Sequence, residues 1–303
     1  MGLASVIAGV LLLAAAPVSP QLRQSPYVGV VSVDAATGRE LFAERADQKA
    51  YPASVTKLMT AFVVLDEVAA GRVRLDEPVV ASPTRTKADV HFRQPSCTGL
   101  RPGEAMTVDE LLKALMVNSA NDAAIFLAEK CAGTVPAFVA KMNAKAKALG
   151  MKSTVFYNPN GLPPPQGRYS AEFNVSTCRD LARMARALLK DHPRILDYTS
   201  LKTWDVTCLG KPRLDAKSGR QIRWVNHNNV MVKDKLKVLN PDGSEAADGL
   251  KTGCIDAGGS SVILTGRRNG RRALVVVLGS ASSKDRDAAA ARLLNDALTA
   301  LAW

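Results

Sequence analysis

The stretch YPASVTKLMT, Tyr51 to Thr60, places Lys57 three residues after Ser54 at the entrance to an apolar run. Of all the serines in the chain only Ser54 has a lysine three positions on, so the pair is not a by-product of a lysine-rich composition. A helix is predicted from Ser54 to about Ala70, stopped by Gly71. Positions three apart share a helix face, which lets the Lys57 amine reach the Ser54 hydroxyl. The hydroxyl would also sit beside the unpaired N–H groups and the positive dipole end of the helix start. A serine is a poor nucleophile until a neighbouring base takes its proton. Lysine is such a base only when neutral, which calls for burial or a nearby cation. The run LMTAFVV supplies the burial.

A second cation is available in DGLKTG, where Lys251 precedes Thr252 and Gly253 on a strand-like segment. A third element is NSANDAA, with Ser119 and Asn121 at the junction of two predicted helices. Taken singly, Lys-Thr-Gly is an ordinary strand end and Ser-x-Asn an ordinary capping pair. In the order Ser-x-x-Lys, Ser-x-Asn, Lys-Thr-Gly they form the set used by serine penicillin-recognising enzymes.

The remainder of the chain narrows the class. At 303 residues it is long enough for one large or two modest domains. The net charge of +12 would suit a polyanion, but aromatic residues are only 5% and no nucleic-acid motif accompanies the charge, so a nucleic-acid partner is not expected. The densest basic cluster, RRNGRR at Arg267 to Arg272, has Asn269-Gly270 at its centre and reads as a solvated hairpin tip. Such a charge also suits an anionic envelope. Five cysteines, Cys97, Cys131, Cys178, Cys208 and Cys254, are widely spaced without Cys-x-x-Cys, and the odd number leaves at least one thiol unpaired in a monomer. The three histidines, His91, His192 and His227, lack ligand spacing, so neither a zinc site nor another cofactor is expected. Leu3 to Ala16 is apolar, uncharged and too short to span a bilayer, and reads as the core of an export signal, although no Lys or Arg precedes it and Pro17 would follow the cleavage point.

Strands are predicted over Tyr27 to Asp34 and Glu40 to Arg45, joined at DAATG. Thr107 three before Glu110 is a capping box, opening an amphipathic helix. Further helices are predicted over about Ala120 to Cys131, Val135 to Leu149 and Ser176 to Lys190, with an irregular loop at YNPNGLPPPQG, residues 157–167. Ser261 to Ser280 reads as a hairpin, followed by a closing helix. The fold class is therefore α+β: an antiparallel sheet built from both chain ends, flanked by helices, with an inserted helical subdomain. The expected division is a leader over 1–26 and one domain over 27–303, with sheet parts at about 27–70 and 195–303 and a helical part at about 71–194.

Beyond the triplets, VDAATGRELFAERADQKAYPASVTKLMTA, LRPGEAMTVDELLKALMVNSANDAA, STCRDLARMA and DGLKTG resemble segments of the D-alanyl-D-alanine carboxypeptidase family, the low-molecular-mass penicillin-binding proteins, in order and spacing from Tyr27 to the C-terminus. The resemblance implies a penicillin-binding protein/serine β-lactamase-like fold and an exported serine D,D-peptidase, periplasmic or otherwise extracytoplasmic, acting on peptidoglycan stem peptides in the cell wall. β-Lactam antibiotics would be covalent inhibitors. Ser54 would be the acylated nucleophile and Lys57 its base. Ser119 and Lys251 would relay a proton to the leaving amine, Asn121 would hold the substrate amide, and Thr252 its carboxylate. The N–H groups of Ser54 and Cys254, the latter just after Gly253, would form the oxyanion hole.

Three residues depart from the family pattern. Cys254 and Ile255 stand where an aromatic or His and then Thr are usual, and His227 in VNHNNVM stands where relatives often carry Arg or Thr. His227 is expected to help Thr252 hold the carboxylate, its charge being lost above about pH 6.5. The terminal helix ends at Trp303, which matches the shorter relatives without a C-terminal membrane anchor. Some of those are D,D-endopeptidases that cut cross-links with the same catalytic residues. A β-lactamase, with Glu172 as the candidate base for water, and a non-catalytic wall-binding protein are the other readings.

Overall fold

The computed structural model describes residues 20–81, 96–163 and 172–302. The apolar segment of Leu3 to Ala16 lies outside the described residues. Strands β1 (Gly29–Asp34) and β2 (Glu40–Glu44) form the first hairpin, and the Asp34 carboxylate caps its turn by accepting from Ala36 N at 2.9 Å. A single 3-10 turn, Ala53–Thr56, leads into helix α1 (Lys57–Ala69). A short ribbon pairs β3 (Pro78–Val80) with β4 (Ala105–Thr107). Helix α2 (Val108–Val117) then begins with the expected capping box: Thr107 Oγ1 accepts from Glu110 N at 3.1 Å, and the Glu110 carboxylate accepts from Thr107 N at 2.9 Å.

Helices α3 (Asn121–Ala132), α4 (Val135–Ala148), α5 (Cys178–Asp191) and α6 (Ile195–Thr199) follow. Sequence patterning did not anticipate what comes next, an arm of two small ribbons. In it β5 (Thr203–Asp205) pairs β8 (Arg223–Val225), and between them β6 (Thr207–Cys208) pairs β7 (Lys211–Pro212). The arm is pinned to α2 by Glu110, whose carboxylate also accepts from Thr207 Oγ1 at 2.5 Å, Leu209 N at 2.9 Å and Gly210 N at 3.0 Å. A short helix α7 (Asn229–Val232) precedes β9 (Ala247–Ile255), β10 (Gly259–Arg268), β11 (Arg271–Ser280) and the closing helix α8 (Ser283–Leu301).

The five long strands make one antiparallel sheet in the order β2-β1-β11-β10-β9, so the two chain ends meet at its centre, where Gly29 pairs with Leu278 and Asp34 with Ala273. Both faces are covered. Val31, Val33, Leu274, Val276 and Leu278 join the core formed with the helices between the two halves of the sheet. Val30, Val262, Leu264, Val275 and Val277 pack on Leu293, Leu294 and Leu298 of α8. Burial on both faces explains why ALVVVL in β11 is a continuous apolar run rather than an alternation. Truncating fully buried Leu274 to Ala costs about 2–5 kcal/mol by this packing.

Asn269 and Gly270 carry φ values of 50° and 77°, as a two-residue hairpin turn requires. The basic tip is only half solvated. Arg267 and Arg271 are exposed, whereas Arg268 donates to Leu239 O at 2.7 Å and Asn295 Oδ1 at 3.0 Å, and Arg272 forms a bidentate pair with Asp248 at 2.6 and 2.7 Å. Among the described residues no single helix is long and apolar enough to cross a membrane.

Candidate active site

Ser54 lies in the 3-10 turn, not in the first turn of an α-helix as the spacing predicts, and the cause is packing on both of its sides. A Cβ on Gly253 of β9 would lie 2.7 Å from Pro52 O, 2.8 Å from Ser54 N and 2.9 Å from Val55 N. On the other side Gly161 abuts the Ala53 carbonyl so closely that a side chain there would collide with it. Only glycine lets two backbones approach the turn this closely. Ala53, with φ 51°, takes up the resulting left-handed bend, and Ser54 remains half-buried among buried neighbours.

Lys57, the first residue of α1, has no exposed surface. Its Nζ lies 2.9 Å from Ser54 Oγ, 2.7 Å from Asn121 Oδ1 and 2.7 Å from Asn160 O. Two of these partners are carbonyls that can only accept. A neutral amine has two N–H bonds for them, which leaves its lone pair directed at the Ser54 hydroxyl. Burial, and then the neighbouring Lys251 cation, hold the Lys57 pKa well below the usual lysine range, against the opposing influence of Cys97 and Asp122. The depressed pKa favours the neutral amine, and the three contacts give that form two carbonyls for its N–H bonds and the Ser54 hydroxyl for its lone pair.

Ser119 and Asn121 sit where α2 gives way to α3. Ser119 is buried with φ 56°, a left-handed bend that turns the chain between the helices, and Asn121 is the first residue of α3. Among the described residues the Ser119 hydroxyl makes no hydrogen bond to Lys57 or Lys251. The junction is braced by a segment that sequence reasoning passed over, Ser96–Leu100. Its Ser96 carbonyl accepts from Asn121 N at 2.8 Å and its Cys97 carbonyl from Asn118 Nδ2 at 3.0 Å. Thr98 donates from N and Oγ1 to the Asp122 carboxylate at 2.8 and 2.6 Å. Burial pushes the Asp122 carboxyl up, while these donors and Ala123 N pull it down.

The third element lies on β9, the edge strand of the sheet. One of its edges pairs with β10, Thr252 opposite Val262 and Cys254 opposite Ser260, and at Gly253 the strand meets the Ser54 turn. Lys251 is 2% exposed, donates to Thr252 O at 2.9 Å, and has its pKa brought down to about 7 by burial and by Arg286. Thr252 is buried and the Cys254 side chain is exposed. Sequence reasoning also missed Arg286, a buried residue of α8 whose Nε donates to Asp287 Oδ1 at 2.7 Å, and whose charge is felt at both Lys251 and His227.

His227 needs a correction. It lies at the turn before α7, where burial, and then the Lys251 and Arg286 charges, lower its pKa to about 4. The imidazole is therefore neutral throughout the physiological range, and the expected loss of charge near pH 6.5 does not apply.

The loop after Tyr157 is shaped by side chains that the Asn, Pro and Gly pattern could not place. Asn174 Oδ1 accepts from Tyr157 N and Asn158 N at 2.7 and 3.1 Å, and its Nδ2 donates to Thr56 Oγ1 at 3.1 Å. Thr60 Oγ1 donates to Pro159 O at 2.6 Å, which fixes the Asn160 carbonyl over Lys57. Glu172 is exposed at the end of this loop, whose residues 164–171 lie outside the described part. Among the described residues no group of three or more His, Cys, Asp or Glu could hold a metal ion.

A family model for D-alanyl-D-alanine carboxypeptidases, peptidase family S11, matches residues 18–282. The chain belongs to this family. It is 31% identical to the D-alanyl-D-alanine carboxypeptidase DacF of Bacillus subtilis over 269 residues, covering 89% of this chain but 61% of that protein. With a D-alanyl-D-alanine endopeptidase of Pseudomonas aeruginosa it shares 37% identity over 176 residues, 57% of this chain and 49% of the relative. Among solved structures it is similar to penicillin-binding protein D2 of Listeria monocytogenes in its ampicillin-bound form, with a TM-score of 0.70 and 26% identity over 90% of this chain and 97% of the other. The fold is that of the penicillin-binding proteins, as the resemblance implied. As a member of the carboxypeptidase family the chain spans about three-fifths of the length of the curated carboxypeptidase it matches.

Proposed function

We propose that residues 27–303 act as a serine D,D-peptidase, a D-alanyl-D-alanine carboxypeptidase of peptidoglycan stem peptides, through an acyl-enzyme on Ser54. The observation that carries this reading is the placement of the buried Lys57 amine, of depressed pKa, 2.9 Å from Ser54 Oγ, with Asn121 Oδ1 and Asn160 O to take its N–H bonds. In the proposed reaction Ser54 Oγ attacks the carbonyl carbon of the D-Ala-D-Ala bond while its proton passes to Lys57 Nζ. The oxyanion is met by the N–H groups of Ser54 and Cys254, donors of a kind worth about 2.7–4 kcal/mol each. A proton then returns by way of Ser119 and Lys251 to the leaving amine, the C–N bond breaks and D-alanine departs. Water hydrolyses the ester and restores the Ser54 hydroxyl. Asn121 holds the substrate amide, and Thr252 holds its terminal carboxylate with Lys251 and a neutral His227.

The match to an endopeptidase supports a second reading, in which the same residues cut cross-links. Either activity places the protein outside the cytoplasm, where the net charge of +12 suits an anionic wall. β-Lactams would acylate Ser54, in keeping with the ampicillin-bound neighbour. Fluorescent penicillin tests the centre. The expected result is a lasting adduct on the wild type and none on Ser54→Ala. Folded wild-type protein without an adduct would refute the proposal, and rapid turnover of penicillin would favour the β-lactamase reading. Digestion of purified muropeptides then separates loss of terminal D-alanine from loss of cross-links.

A further inference from the structure

The segment Ser96–Leu100 has two sides. Towards the centre it braces Asn121 and Asp122. Away from it, Arg213 of the arm donates to Thr98 O at 2.6 Å and to Gly99 O, and pairs with Glu104 at 3.2 Å. Between the segment 99–105 and the arm lies a cavity of about 630 Å³. Leu209 and Leu214, 49% and 57% exposed, give it an apolar wall, and Arg101 and Lys211 stand exposed on its lining.

The charges there are not self-compensated. Glu104 is engaged by Arg101 N at 2.8 Å and by Arg213. Asp215 is engaged by Ser218 N and Ser218 Oγ, each at 2.8 Å, and by Lys217 N at 3.2 Å. The side chains of Arg101 and Lys211 have no hydrogen-bond or ion-pair partner among the described residues. The cavity therefore offers two uncommitted cations and aliphatic surface, one loop away from Asn121.

We infer that this cavity is a second subsite, which takes a carboxylate-bearing peptide segment of the same polymeric substrate whose D-Ala-D-Ala end lies at Ser54. The inference rests on the D,D-peptidase reading. Cations beside aliphatic side chains match a peptide of carboxylates and short apolar groups. The Arg213 clamp ties the cavity wall to the segment that braces Asn121 and Asp122, so the cavity and the cleft share one supporting segment. A short soluble substrate reaches only the cleft. A polymer reaches both.

The test is the double variant Arg101→Glu/Lys211→Glu, in which both altered side chains are exposed. Activity is compared on purified insoluble peptidoglycan and on a soluble tripeptide ending in D-Ala-D-Ala, at low and raised salt. The expected result is a roughly tenfold loss of kcat/KM on the polymer at low salt, shrinking as salt rises, with tripeptide hydrolysis and penicillin labelling of Ser54 within about twofold of wild type. In an otherwise inactive Ser54→Ala background, retention on pelleted peptidoglycan should fall with the charge reversal. A polymer-to-tripeptide ratio equal to that of the wild type, or unchanged retention, overturns the subsite. Absence of the penicillin adduct from the wild type overturns the peptidase reading instead.

Discussion

Replacing Gly253 with alanine adds one methyl group where the edge strand touches the turn that carries Ser54. Its Cβ would meet three backbone atoms at 2.7, 2.8 and 2.9 Å, whereas ordinary Cβ contacts begin at about 3.4 Å. None of the three belongs to a side chain that can rotate away, so strand and turn must separate by about 0.6 Å. Gly253 does not have a positive φ, so the backbone conformation itself suits alanine and the whole cost is steric. Overpacking of this kind costs about 1–3 kcal/mol. The larger consequence is geometric, since the turn carries Ser54 N, and β9 carries Cys254 N and Lys251. A misplacement of about 1 Å in a reacting constellation can cost about 10²-fold. We expect the second-order rate of acylation by fluorescent penicillin to fall about 10- to 100-fold, with a lowered Tm. Gly71→Ala is the control, because a Cβ there meets nothing within 4 Å; unlike Gly253 it has φ 69°, so it should lose some stability and keep its acylation rate. Acylation of Gly253→Ala at the wild-type rate would refute the packing argument.

Lys57→Ala should cut the acylation rate by about 10²–10⁴-fold, read by mass spectrometry of the penicillin adduct, and should also lower Tm because it strands the Asn121 and Asn160 carbonyls. In the wild type the acylation rate should decline as pH falls through the depressed pKa of Lys57, and Asp122→Asn, which removes an anion that supports the charged amine, should move that limb to lower pH. Lys251, with its pKa near 7, should hold a substrate carboxylate more weakly as pH rises through that value, so KM for a soluble substrate should climb above about pH 7 in the wild type and equally in His227→Gln. Glu110→Gln should lose about 1–3 kcal/mol by chemical denaturation. Against the effect of burial, hydrogen bonds from Thr207, Thr107, Gly210 and Leu209 hold that carboxyl below its ordinary range. The stability it supplies is therefore present above the unfolded glutamate pKa of about 4.3 and is lost as pH falls through the lower folded value, so the gap between the two proteins should narrow in acid.

Local patterns carried most of the fold into view. The capping box at Thr107 and Glu110, the Asn269-Gly270 turn and the glycine stops after Ala70 and Leu149 act within a few residues, and the structure keeps each of them. The Ser54–Lys57 contact was legible for the same reason, since the two lie only three positions apart. What remained hidden depends on distant contacts. Nothing in YNPNG shows that its Asn160 carbonyl will cover an amine 103 positions away, and nothing near Ser54 shows that two backbones will compress its helix start into a 3-10 turn. The pH at which His227 loses its charge was misjudged because burial, and then Lys251 and Arg286, brought beside it only by tertiary packing, lower its pKa. The arm of residues 203–225 escaped notice because strands of two or three residues are too short to show alternation.

The pairing of β1 with β11 imposes an order of events on the whole molecule. The first long strand to leave the ribosome waits for a neighbour that is synthesised almost last, and β9, which packs on the Ser54 turn, joins the sheet through β10 and that same late strand. Pairings between distant chain segments are slow to form, because loop closure must precede any gain from contact. A partly synthesised chain therefore holds Ser54 and Lys57 without the strand that completes their surroundings.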